Sequence, residues 1–155
     1  MKKMSPLLAL SISTAVFCGI WSALATFTGL CSWAGFAGCT TYFSCGEHGL
    51  KGLKKTACTN FAGVLCGLAI FALTGIVPVL GEWGVWCAII TFVMCIISHF
   101  ELLSFCPGIF MGCFCTFAAG GDWKLLVPSL LIGAALGVAC DFGGVWLRKL
   151  SVRKK

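Results

Sequence analysis

Charge is what this sequence has least of. Only 10% of its 155 residues are Asp, Glu, Lys or Arg, where a soluble domain carries about 25%. With 59% hydrophobic residues and a mean hydropathy of +1.02, there is too little polar side chain to coat a water-soluble core. Lipid is the solvent this composition fits. Chemical signatures are scarce too. There are two His, no phosphate-cradling glycine loop, no dinucleotide fingerprint and no nucleophile set beside a base. The chain therefore reads as no enzyme, with no cofactor and no bound metal implied. The net charge of +6 sits at segment ends rather than in a basic soluble module, so nucleic acid is not an expected partner.

Long apolar runs are abundant instead. Six segments divide the chain: about Pro6–Phe27, Leu30–Cys45, Thr56–Leu80, Trp83–Leu103, Cys106–Ala119 and Leu125–Leu147. They lack the two-residue alternation of a barrel strand, and backbone in lipid must satisfy its own hydrogen bonds, so all are expected to be helices. The first follows Lys2 and Lys3 and resembles a signal peptide, but its run of about 20 residues outlasts a typical signal core. It is read as an uncleaved span. The expected fold is all-α: one integral membrane domain over 1–155, a polytopic bundle of six segments.

The order is long, short, long, twice over. Setting Gly38-Cys39 on Gly112-Cys113 also places Phe43 on Phe117 and Gly46 on Gly120. This is read as a three-segment repeat, about 5–80 and about 82–148, followed by a basic tail at 148–155. If all six segments cross, 10 of the 11 basic residues fall on one side, and Lys124 alone lies opposite. The positive-inside rule makes the crowded side cytoplasmic, with both termini there. Three crossings per repeat is odd, so the repeats are inverted. Inverted repeats recur in transporters, with sites near the midplane where interrupted helices meet.

The 12 cysteines invite a metal reading, above all in "CPGIFMGCFC". Cys113 and Cys115 do not share a helix face, however, and the segment offers no fourth ligand for zinc. The other nine are scattered, and the set reads as small apolar packing residues. Glycine pairs at 35/38, 63/67, 108/112 and 133/137 put small residues on single helix faces, where backbones approach closely. Pro107 opens the fifth segment at its first turn. Asp141 is expected to meet a tail base or headgroup water, and His48 with Glu47 to form a solvated turn. The six tryptophans mostly mark segment ends, as an aromatic belt does.

At "SWAGFAGCTTYF", "GLKG", "SFCPGIFMG" and "TFAAGGDWKLLVPSL" the chain resembles the YcdZ-like family of small bacterial inner-membrane proteins of unknown function. The likeness extends to about Leu147. It implies a bacterial inner-membrane location and no settled activity. The many cysteines and Asp141 are departures from that resemblance.

The function expected is a small-solute channel or secondary transporter for a neutral or weakly polar solute. Its pathway would run between the second and fifth segments, lined by Gly38, Cys39, Thr41, Tyr42, Asn60, Pro107, Gly108, Gly112, Cys113 and Thr116. Lipid is the expected surrounding and a homo-oligomer the expected assembly. The alternative is a non-transporting scaffold or accessory subunit that holds a partner on its small-residue faces.

Overall fold

Proline and glycine punctuate a chain that hydropathy alone would run together. The computed structural model describes residues 4–82 and 84–153; Lys2, Lys3, Trp83, Lys154 and Lys155 lie outside the described residues. Every regular element described is helical. Helix α1 (Pro6–Thr28) starts where Ser5 Oγ accepts the Leu8 N–H at 3.1 Å and Pro6 supplies a preset φ. It stops at Gly29, whose φ of 71° is left-handed. Helix α2 spans Ser32–Ser44 and α3 spans Gly49–Ile76. α3 begins well before the apolar run, with Lys51, Lys54 and Lys55 in its first two turns.

Val77 precedes Pro78, which disfavours the helical region for it, and at φ −130° and ψ 81° it leaves the helix, so α3 ends there. Pro78 then opens the short α4 (Pro78–Glu82). Left-handed Gly84 (φ 72°) precedes α5 (Val85–Ile97), and a 3-10 turn (Glu101–Leu103) leads to α6 (Cys106–Ala118) and α7 (Trp123–Arg153). This corrects the fourth segment. The sequence pattern predicts one long helix, and the structure gives a 13-residue helix flanked by turns. Among the described residues three helices, α1, α3 and α7, are long and apolar enough to cross a membrane. The 13-residue α2, α5 and α6 each rise about 20 Å, short of the ~30 Å hydrocarbon core.

The chain packs across its halves rather than within them. α1 and α2 lie mainly on α7, α6 lies mainly on α3, and α3 meets α7 between them. Contact registers give the directions. Cys31 meets Ser129 and Tyr42 meets Gly137, so α2 runs parallel to α7. Ser13 meets Cys140 and Leu10 meets Gly144, so α1 runs antiparallel to it. Gly108 meets Thr59 and Thr116 meets Gly67, so α6 runs parallel to α3. The start of α1, the end of α2, the start of α3 and the end of α7 therefore share one pole. Lys51, Lys54 and Lys55 border a groove there with Glu47 and Glu101. Lys124, at the start of α7, lies toward the other pole.

Candidate functional site

The site begins with glycines that bring backbones together. A Cβ added at Gly38 would overlap the Leu130 carbonyl oxygen, and one at Gly133 would overlap the Gly35 carbonyl oxygen. A Cβ at Gly112 would overlap the Asn60 carbonyl oxygen, and one at Gly63 the Ile109 carbonyl oxygen. Gly137 packs on the Tyr42 ring, and Gly67 on the Thr116 side chain. These are two sets of three contacts, and one shift pattern interconverts them. Short-helix positions move by 74 (112 − 38) and long-helix positions by 70 (133 − 63). Gly46 and Gly120, also 74 apart (120 − 46), both adopt left-handed φ of 74° and 59°. At such separations Cα–H···O contacts and dispersion accumulate between helices.

That packing divides the ten pathway candidates into two groups rather than one. Gly38, Cys39, Thr41 and Tyr42 are buried on α2. Gly108, Gly112, Cys113 and Thr116 are buried on α6, against α3. α2 and α6 make only a minor contact with each other, because each is taken up by a long helix. Pro107 sits on the outer side of α6, exposed beside Phe110 and Phe114. The Cα faces of Gly38 and Gly112, expected to line a pathway, are closed off by the facing helix.

Most of the buried hydroxyls are already committed. Thr41 donates to the Ala37 carbonyl at 2.9 Å, Thr116 to Gly112 at 2.9 Å and Thr59 to Lys55 at 2.9 Å. Ser129 donates to Leu125 at 2.7 Å and accepts the Cys31 N–H at 3.0 Å, which fastens the start of α2 to α7. Ser129→Ala leaves that N–H unpaired. It should destabilise the protein by about 1–3 kcal/mol, measurable as a lower thermal midpoint in detergent.

Two residues stand apart. Asn60 is 2% exposed, and neither its Oδ1 nor its Nδ2 has a hydrogen-bond partner; buried Thr56 has an unpartnered Oγ1 one turn away on α3. Asn60 borders a small cavity between α3 and α7, lined also by Ala57, Phe61, Val64, Val127 and Leu130. Its volume is ≈ 10 Å³, room for about one water. Under the 70-residue shift Asn60 corresponds to Leu130 and Thr56 to Leu126. Both of those positions hold buried leucine. Asn60 was legible as a polar residue at depth; Thr56 marked only the edge of an apolar run.

A second polar group lies at the basic pole. Tyr42 donates to Asp141 Oδ2 at 3.1 Å and accepts the Gly49 N–H at 2.8 Å, and His48 Nδ1 lies 3.0 Å from the same Oδ2. Among the described residues Asp141 thus pairs with a helix-start histidine and a buried tyrosine. The His48 side chain is 79% exposed, so this pair adds little to stability. His48→Ala should move the thermal midpoint by no more than a few degrees, while Tyr42→Phe, which unpairs the Gly49 N–H, should move it further. Trp21 also departs from the expected belt. It is 3% exposed, donates to the Ser32 carbonyl at 2.9 Å and stacks over Gly35.

Long apolar helices, exposed aliphatic flanks and a buried seam of glycine and hydroxyl contacts define an all-helical membrane protein. Comparison narrows this class to a family. Residues 11–144 match the family described as "Protein of unknown function (DUF1097)", and the chain belongs to it. It is 44% identical over 151 residues to "Inner membrane protein YcdZ" of Escherichia coli (strain K12), covering 97% of this chain and 93% of that one. It is also 44% identical over 145 residues to the protein of the same name in Salmonella typhimurium (strain LT2), covering 93% and 91%. "Uncharacterized protein YahC" of Escherichia coli is 26% identical over 163 residues, covering 97% and 98%. No solved structure matches.

Proposed function

We propose that this chain is a small-solute carrier of the bacterial inner membrane, built from two inverted three-segment halves that exchange their long helices. The observation that carries the reading is the unpartnered Asn60 carboxamide at the α3–α7 seam, with the unpartnered Thr56 hydroxyl one turn away on α3. Each buried polar group left unpaired costs about 1–3 kcal/mol, and polar groups kept at membrane depth mark solute paths. A neutral solute able to donate and accept hydrogen bonds would offset that cost. The cavity beside Asn60 is only ≈ 10 Å³, so passage of a solute needs the halves to move. That favours rocking over a static pore. The two matched contact sets support the repeat, and the parallel and antiparallel registers support alternate crossings. On this reading the pole of Lys51, Lys54, Lys55, Arg148 and Lys149 is cytoplasmic, as are both termini.

The pathway follows the α3–α7 seam rather than the gap between α2 and α6. Purified protein in liposomes tests it, by light scattering after osmotic jumps with water, glycerol, urea, ammonia and short carboxylates. Protein-dependent permeation of a neutral hydrogen-bonding solute is the expected result. Permeation no faster than in empty liposomes across the panel would favour the scaffold reading.

A further inference from the structure

Three of the scattered cysteines converge in the fold. Cys18 of α1, Cys39 of α2 and Cys140 of α7 place their Sγ atoms within 4.8 Å of one another. Among the described residues this is the one group of three or more metal-ligating side chains, and Cys106, Cys113 and Cys115 form no such group. Cys39 is 5% exposed, Cys140 is fully buried and Cys18 is partly buried. We propose that Cys18, Cys39 and Cys140 form a three-sulfur site for a soft monovalent metal ion, Cu(I). This inference is independent of the solute reading, whose residues lie on α3.

The donor set selects the ion. Three sulfurs with no carboxylate or imidazole among them do not suit Mg²⁺ or Ca²⁺, which take oxygen ligands. Zinc closes a four-coordinate shell, and no fourth side chain joins the group. Asp141, the nearest carboxylate in sequence, is turned to Tyr42 and His48 instead. Thiolate ligands suit Cu(I), which accepts three-coordinate sulfur. Each sulfur ligates as a thiolate, so one proton leaves as each Cu–S bond forms.

Packing alone does not account for three thiols here. Under the repeat shifts Cys39 corresponds to Cys113 and Cys140 to Ile70, and those two share one apolar cluster. The other half thus fills the Cys140 position with isoleucine. The site also lies beside the polar group at the basic pole. Cys39 lies one turn from Tyr42 on α2, Cys140 adjoins Asp141, and exposed His48 ends the line at the basic pole.

The test uses full-length reduced protein in detergent under anaerobic conditions. Cu(I) is titrated against a chromophoric Cu(I) chelator, and the retained copper is examined by X-ray absorption. Wild type should retain one tightly held Cu(I) per chain with a sulfur-only, three-coordinate shell. Cys39→Ser should weaken that binding at least tenfold. Cys18→Ser, at a partly exposed position where folding is least at risk, should do the same. A Cys106→Ser/Cys113→Ser/Cys115→Ser variant should bind as wild type does. Failure of wild type to hold copper against the chelator would overturn the proposal. So would Cys39→Ser and Cys18→Ser variants that hold copper as tightly as wild type.

Discussion

Asn60→Leu should abolish protein-dependent solute flux and at the same time make the protein more stable. The two effects have one cause. The Asn60 carboxamide is buried with no partner for either polar atom, so it costs stability in the solute-free state. Leucine removes that cost and fits the local geometry, because Leu130 occupies the matching place in the other half. The Asn60 carbonyl, which Gly112 approaches, is backbone and survives the change. The expected gain is about 1–3 kcal/mol, read as a higher thermal midpoint in detergent. The expected loss is the whole protein-dependent part of the scattering signal. Thr56→Val removes one unpartnered hydroxyl with the same shape and should shift both readouts in the same directions by less. A variant that gains stability and keeps full flux would remove Asn60 from the pathway.

The second large effect is structural. Gly63→Leu and Gly133→Leu should each prevent the folded protein from accumulating. At Gly63 a side chain meets the Ile109 carbonyl and the Cys113 nitrogen; at Gly133 it meets the Gly35 backbone. Backbone cannot swing aside as a flexible side chain does, so the helices must separate. Overpacking a core by single methylenes already costs about 1–3 kcal/mol, and parting a helix pair costs more, against a total stability of about 5–15 kcal/mol. Gly112→Leu meets the Asn60 backbone in the same way, so loss of flux in that variant would report a lost fold. Gly19 and Gly75 are the contrast. Both lie in long helices with nothing within 4 Å of an added Cβ. Gly19→Ala and Gly75→Ala should be neutral or stabilising by up to about 1 kcal/mol, since alanine is the better helix former. Fluorescence-detected size exclusion of all four variants checks the ranking.

Much of this fold is legible from hydropathy and punctuation. The second and fifth apolar segments, Leu30–Cys45 and Cys106–Ala119, lie within two residues of α2 (Ser32–Ser44) and α6 (Cys106–Ala118) at each end. Gly29 and Pro107 mark boundaries by conformations that leave little choice. The fourth segment was not legible, because an apolar run does not reveal that Gly84 takes a left-handed turn or that Ser98 ends a helix. Which helices pair was hidden for a different reason. Gly35 and Gly38 announce a small face, but nothing in their spacing names α7 as its partner. The same holds for the thiol group. Cys18, Cys39 and Cys140 sit in three helices far apart in sequence, and only the packing of α7 on α1 and α2 brings them together. Asn60 stood out as a polar residue at depth, while its lack of a partner is a property of the packed seam.

Both the seam and the solute reading rest on two halves inserted in opposite senses, so the sidedness of their matching turns is the measurement to make. Single cysteines replace Lys54 and Lys124 in an otherwise cysteine-free background and are probed in intact cells with a membrane-impermeant maleimide. Lys124→Cys should label from outside, and Lys54→Cys only after the membrane is opened. Labelling of both from the same side would contradict the inverted halves and the carrier built on them.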